Sequence, residues 1–196
     1  HNMDRVIILL FLLISSSLKA QTNIITTINN YMIDHSTYDE LLYVSITDQK
    51  LYHVLSREII KTYNISSSKY GEGNTANSNK TPIGVHIIKE KYGKKTPING
   101  RMIGRVFYGD IAEIYTDKRT SKTDDITSRI LWLEGTEQGK NKGEGIDSYK
   151  RYIYIHGTSE EGLIGQPASH GCIRMKNKDV IDLFKVVSIG TFVLIL

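Results

Sequence analysis

The sequence predicts a mostly β domain with few helices. From Leu41 onward, several segments alternate apolar and polar residues with a period of two. Stretches rich in Ser, Asn and Gly separate them. Helical spacing is confined to one segment near the N-terminus and one near the C-terminus. Twelve Tyr against one Trp and four Phe suit sheets whose outer faces meet water, because Tyr packs its ring and keeps a polar tip. A length of 196 residues fits one domain plus an export segment. Two domains would leave each half with a thin core. With 40% apolar and 23% charged residues, the chain is not of the disordered class.

The N-terminal region is read first. His1 and Asn2 precede Met3 and read as an expression scar. Asp4 and Arg5 then lead into an apolar run from Val6 to Ile14, followed by the small-residue tail Ser15 to Ala20. This order matches a secretory signal peptide with cleavage after Ala20. The run is too short to span a bilayer, which needs about 20 apolar residues. An uncleaved anchor or an ordinary buried helix is the alternative. Residues 21–40 then form a helical segment. Ile24, Ile25, Ile28, Tyr31 and Met32 recur at helical spacing, so a short amphipathic helix is expected over Asn23 to Ile33.

The body of the domain occupies residues 41–196. Leu41 to Thr47 and Lys50 to Leu55 read as a hairpin turning at Asp48-Gln49. Glu58 to Ile65 is a further strand, and Ser66 to Lys80 is a loop. Ile83 to Lys89 follows Thr81-Pro82 as a strand. Tyr92 to Ser128 carries four glycines and is expected to form long loops around one or two strands. Arg129 to Glu134 is an apolar strand, and Gly135 to Gly145 a loop. Tyr152 to His156 is a strand broken by Gly157. Asn177 is expected to cap a helix bearing Val180, Ile181 and Phe184 on one face. Thr191 to Leu196 closes the chain as a buried strand.

The formal charge is +4 and the pI about 9.0. No dense basic stripe with interleaved aromatics appears, so a nucleic-acid partner is not expected. A basic surface favours anionic cell-envelope polymers; a merely solvated surface is the equal alternative. Cys172 is the one cysteine, which rules out an internal disulfide. In an exported chain, such a thiol is either buried or used.

Two segments hold groups able to do chemistry. In Tyr152-Ile153-Tyr154-Ile155-His156-Gly157, alternation places Ile153 and Ile155 toward the core. Tyr152, Tyr154 and His156 lie on the other, wetter face. A strand end is a good place for a general base. In Ser169-His170-Gly171-Cys172-Ile173-Arg174-Met175, the glycine permits a tight backbone and close approach of substrate. His170 and Arg174 flank the thiol. A free thiol ionises near pH 8.5, and a neighbouring imidazole or guanidinium is expected to raise its thiolate fraction. A positioned base contributes about 10² to 10⁴ in rate. His156, His170 and Cys172 with Glu160 or Glu161 form an alternative zinc set. Structural zinc usually takes four ligands, and a Cys two positions from a His is an unusual spacing.

The pattern His156-Gly157, thirteen residues from Gly157 through Ser169, then His170-Gly171-Cys172 resembles the signature of the YkuD-type L,D-transpeptidases. Thr81-Pro82-Ile83-Gly84 resembles the family's Thr-Pro-x-Gly element. The resemblance covers Leu41 to Leu196 and implies a mostly β, sandwich-like catalytic domain with the Cys and His at the mouth of a groove between sheets. It implies Cys172 as nucleophile, His156 as base, and the Gly157 carbonyl as the group orienting that imidazole. His170 and Gly171 fall in the loop that, with the Cys172 amide, stabilises the oxyanion. Arg174 is implied in holding substrate, and Ser169 and Tyr154 join it as candidate substrate contacts. The spacer is at the short end of the family's range, which implies a small flap.

The implied reaction transfers an acyl group from a peptidoglycan tetrapeptide stem through a Cys172 thioester to an amine, releasing D-alanine. Carbapenem-type inhibitors are implied to acylate the same sulfur. No metal and no cofactor are expected, and membrane contact only through the signal peptide. An L,D-carboxypeptidase or crosslink hydrolase on the same scaffold stays open. So does a non-catalytic wall-binding module, although a binder needs no nucleophile with its base.

Overall fold

The computed structural model describes residues 19–34 and 37–196. The apolar run read as a signal peptide lies outside them. The first helix, α1, occupies residues 19–32. The strands are β1 (Glu40–Ser45), β2 (Lys50–Leu55), β3 (Glu58–Ser66), β4 (Gly84–Tyr92), β5 (Gly100–Ile103), β6 (Val106–Ile111), β7 (Ile126–Gly135), β8 (Tyr154–Thr158), β9 (Ile173–Met175) and β10 (Phe192–Ile195). A 3₁₀ turn spans Glu161–Leu163, and the second helix, α2, spans Asn177–Val186. The mostly β expectation holds.

All ten strands belong to one sheet, in the order β4-β10-β1-β2-β3-β9-β8-β7-β5-β6, and β4 also pairs with β7. That extra pairing joins both ends of the run from β4 to β7, so the sheet closes on itself. β5 and β6 remain as a hairpin attached to β7. β1 with β10 and β8 with β9 are parallel; the other pairings are antiparallel.

Closure explains the pattern of side chains. Leu42 and Val44 of β1 point inward to meet Leu51, Ile88, Leu131, Ile155 and Ile173. Val180, Leu183 and Phe184 of α2 complete that core. Leu41 and Tyr43 point outward, yet they too are buried, because α1 lays Ile28 and Met32 over them. The amphipathic spacing of α1 is thus spent on the outer face of β1, β2 and β10. Each fully buried Leu or Ile contributes about 1.5–3 kcal/mol. A third cluster of Met102, Ile130, Trp132 and Tyr154 packs against Cys172.

Three expectations change. The strand read over Tyr152 to His156 starts two residues later. Tyr152 takes a left-handed turn (φ 57°), and Gly157, expected to break the strand, lies within β8 opposite Thr127 and Met175. The short strand β9 had no periodicity of its own and was not foreseen. Asn177, expected as an N-cap, is the first residue of α2 and turns inward. Its Nδ2 donates to the Thr158 carbonyl at 2.9 Å, and its Oδ1 accepts from Thr127 and Ser128 hydroxyls at 2.6 Å. The Glu161 carboxylate accepts the Asn177 amide at 2.8 Å instead, an acidic partner at a helix N-terminus.

Candidate active site

β8 and β9 run parallel, with Ile155 opposite Ile173 and His156 opposite Arg174. Ile155 and Ile173 enter the core. His156 and Arg174 therefore share the other face. Cys172 immediately precedes β9, so the ladder that pairs these strands brings the thiol to the same cavity as the imidazole. Asp124, Ile126, His156, Ser169, His170, Cys172 and Arg174 line one small cavity of about 80 Å³. Binding pockets commonly enclose about 300–1,000 Å³, so only a reacting group fits inside, and a peptide must lie across the mouth. A larger cavity of about 620 Å³ lies beside α1 and Arg57, and it holds neither the thiol nor these imidazoles.

His156 was expected on a wetter face; it is instead 3% exposed. The loop over residues 112–125 and the third cluster cover that face. Its Nδ1 lies 2.6 Å from the Gly157 carbonyl oxygen. A carbonyl only accepts, so Nδ1 carries the hydrogen and Nε2 is the bare acceptor. Burial pushes the imidazole pKa down to about 4, against the raising effects of the Gly157 bond and Asp124. Gly157 has no room for a side chain: a Cβ there would meet the Thr127 carbonyl at 2.6 Å and Asn177 Oδ1 at 2.7 Å.

The Cys172 sulfur accepts the Tyr154 amide at 3.4 Å and donates to the Tyr152 carbonyl at 3.4 Å. Part of the residue reaches the surface. Its surroundings are nonetheless dense enough that burial pushes the thiol up to about 11. The expected rise in thiolate fraction is thus overturned for the resting site. The opposing effects of the Tyr154 amide and of Arg174 and Arg151 are smaller than desolvation. Thiol and imidazole are both neutral at rest.

Arg174 is 2% exposed. Its guanidinium donates to Glu160 at 2.6 Å and to Asp124 at 2.5 Å. This cation, implied in holding substrate, is enclosed between two carboxylates and forms part of the cavity wall. Glu160 also accepts the Ser121 amide at 2.6 Å and its hydroxyl at 3.0 Å, so it is occupied otherwise than in a zinc set. Among the described residues, no three His, Cys, Asp or Glu side chains converge as metal ligands would.

Ser169 and Tyr154 are also buried, and Ser169 lines the cavity. Ser169 Oγ donates to the Cys172 carbonyl at 2.6 Å and accepts the Gly171 amide at 3.2 Å, which staples the turn around the thiol. The Tyr154 hydroxyl accepts from Arg105 at 3.2 Å. Gly171 takes φ 125°, a region that favours glycine. Its carbonyl accepts the Thr81 hydroxyl at 3.1 Å, which gives the Thr81-Pro82-Ile83-Gly84 element a physical task. His170 lies at the surface, its Nδ1 2.7 Å from Asp124 Oδ2.

Sequence reading missed Asp124, and it weighed Glu160 only as a metal ligand. A buried arginine demands carboxylates, but Arg174 was not legible as buried until β9 was known.

The chain is similar to known proteins of one family. The model of the YkuD L,D-transpeptidase catalytic domain matches residues 39–195. Over 61 residues the chain is 52% identical to YkuD of Bacillus subtilis (strain 168), covering 29% of this chain and 37% of that protein. Over 45 residues it is 51% identical to YqjB of the same strain, covering 23% of this chain and 26% of that one. Both relatives are named for L,D-transpeptidases, and the matches span well under half of their length. The Ldtfm–avibactam carbamoyl enzyme shares the fold, with a TM-score of 0.50 and 17% identity over 82% of this chain and 49% of that one.

Proposed function

Since this chain belongs to the L,D-transpeptidase catalytic domain family, we propose that it is an exported cysteine acyltransferase acting on peptidoglycan stem peptides. One observation carries the reading: the imidazole fixed through Nδ1 by Gly157, with Nε2 bare, lines the same small cavity as the only thiol of the chain.

The neutral pair suits general-base attack. As the Cys172 sulfur forms a bond to the carbonyl of the donor's third residue, its proton passes to His156 Nε2. The resulting imidazolium returns that proton to the departing D-alanine nitrogen as the C–N bond breaks. A thioester and a neutral His156 remain. The Cys172 backbone amide supports the oxyanion, in a turn that the Gly171 amide closes onto Ser169 Oγ. An amine of a second stem then takes the acyl group. Export rests on the apolar run from Val6 to Ile14, and the same sulfur is the site for carbapenem-type inhibitors.

The test is incubation with purified tetrapeptide muropeptides, read by mass spectrometry. Crosslinked dimers with released D-alanine are expected. Tripeptides alone would assign the chain as an L,D-carboxypeptidase, and unchanged tetrapeptide would overturn an acyl-transfer role.

A further inference from the structure

Resting on the acyl-transfer reading, we infer that His170, held by Asp124, is a second acid–base group that serves the incoming amine, with Asp124 as its positioning residue.

The inference begins with a proton count. An alkyl ammonium ionises near about 10, as a Lys side chain does, so the acceptor arrives protonated near neutrality. Turning an ammonium and a thioester into an amide and a thiol releases one proton to solvent. The acceptor nitrogen thus loses two protons. One returns to the Cys172 sulfur as the C–S bond breaks, and the other must leave the cavity. His156 is suited only to the first task. It is 3% exposed, its Nδ1 is spent on Gly157, and the ring lines the cavity that also holds Cys172.

His170 fits the second task. It lines the same cavity, yet its side chain is 43% exposed. Asp124 accepts from Nδ1 at 2.7 Å, which leaves Nε2 as the acceptor of the neutral ring. The other oxygen of the same carboxylate is held by Arg174 at 2.5 Å, and Arg174 is held in turn by Glu160. Asp124 thus cannot swing away with the loop that carries it. The Tyr70 ring stands 5.9 Å from the imidazole on the remaining side. Burial works against the Asp124 carboxylate, but Arg174 and the two imidazoles hold its pKa below the usual range.

The step balances as follows. His170 Nε2 takes one proton from the arriving ammonium and later yields it to solvent. The neutral nitrogen attacks the thioester carbonyl. Its second departing proton goes to His156 Nε2, then to sulfur as the C–S bond breaks.

The experiment compares two acceptors on the acyl-enzyme formed from tetrapeptide by wild type, His170→Gln and Asp124→Asn. One acceptor is the diamino acid of a stem peptide; the other is hydroxylamine, which is already unprotonated near neutral pH. In both variants, transfer to the stem amine should fall about tenfold or more, while transfer to hydroxylamine falls far less. His170→Gln leaves the Asp124–Arg174 pair in place, so it covers the case in which Asp124→Asn disturbs folding. An equal fall for both acceptors, or no fall for either, overturns the inference. Wild-type acyl-enzyme that reacts with neither amine overturns it alone. Failure of wild type to form any acyl-enzyme overturns the underlying transferase reading instead.

Discussion

The Gly157 carbonyl oxygen stands 2.6 Å from His156 Nδ1, so adjacent residues of one strand form the base and its orienting group. No acidic side chain is required for the tautomer. The arrangement is only as firm as the backbone at Gly157, which is packed against Thr127 and Asn177.

Gly157→Ala should therefore impair both stability and chemistry. The added methyl meets Thr127 and Asn177 below 3 Å, and overpacking of this kind costs about 1–3 kcal/mol. Strand β8 must shift to relieve it, taking the carbonyl with it. A lowered midpoint in denaturant unfolding, together with slowed acylation by a carbapenem, is the expected pair of results.

Cys172→Ala should remove all turnover and the covalent mass gain with a carbapenem, while the circular dichroism spectrum stays that of the wild type. Retained turnover in that variant would place the nucleophile elsewhere.

His156→Ala should slow acylation by about 10² to 10⁴ near neutrality. Because the thiol is pushed up to about 11, rising pH should restore the rate only as that value is approached. Stopped-flow acylation across the alkaline range measures this. Recovery already complete at the pH where a free thiol ordinarily ionises would show that the resting site contains a readily formed thiolate.

Acid stability follows from two buried imidazoles. His156 and His86 are both pushed down to about 4 by burial. In the unfolded chain they take up a proton near 6.5. Their contribution is therefore fully present above 6.5 and is lost as the pH falls toward 4, roughly 3 kcal/mol apiece. Calorimetry should show Tm falling across that interval. His86 is held by the Gly84 carbonyl and the Ser148 hydroxyl, away from the thiol, so His86→Gln should flatten the fall. An unchanged slope would assign the acid sensitivity to other groups.

Arg174→Ala should cost about 3–5 kcal/mol, because it leaves Asp124 and Glu160 without their shared cation. Arg174→Lys should restore little, since one ammonium cannot reproduce a fork that reaches both carboxylates. Chemical denaturation of the two variants beside the wild type checks both statements.

Much of this was legible in the sequence, for identifiable reasons. β1, β2, β3, β4, β7 and β10 are long or apolar enough to show their period. α1 announces itself through Ile24, Ile28 and Met32. The spacing from His156 to Cys172 and its flanking residues is dense enough to mark chemistry. Burial was not legible. His156, Tyr154, Ser169 and Arg174 are polar residues that read as surface, and only the closed sheet and the loop over residues 112–125 enclose them. Asp124 sits among polar residues with no periodicity, and its meaning comes from Arg174, fifty positions away along the chain. The Asn177 side chain was read locally as a cap, whereas its partners lie in β7 and β8.

Base and nucleophile reach one cavity because two parallel strands are hydrogen-bonded, and the crossover between Thr158 and Ile173 has to span that step. A residue inserted or removed at the solvent side of this crossover should therefore leave the pairing of Ile155 with Ile173 and of His156 with Arg174 unaltered.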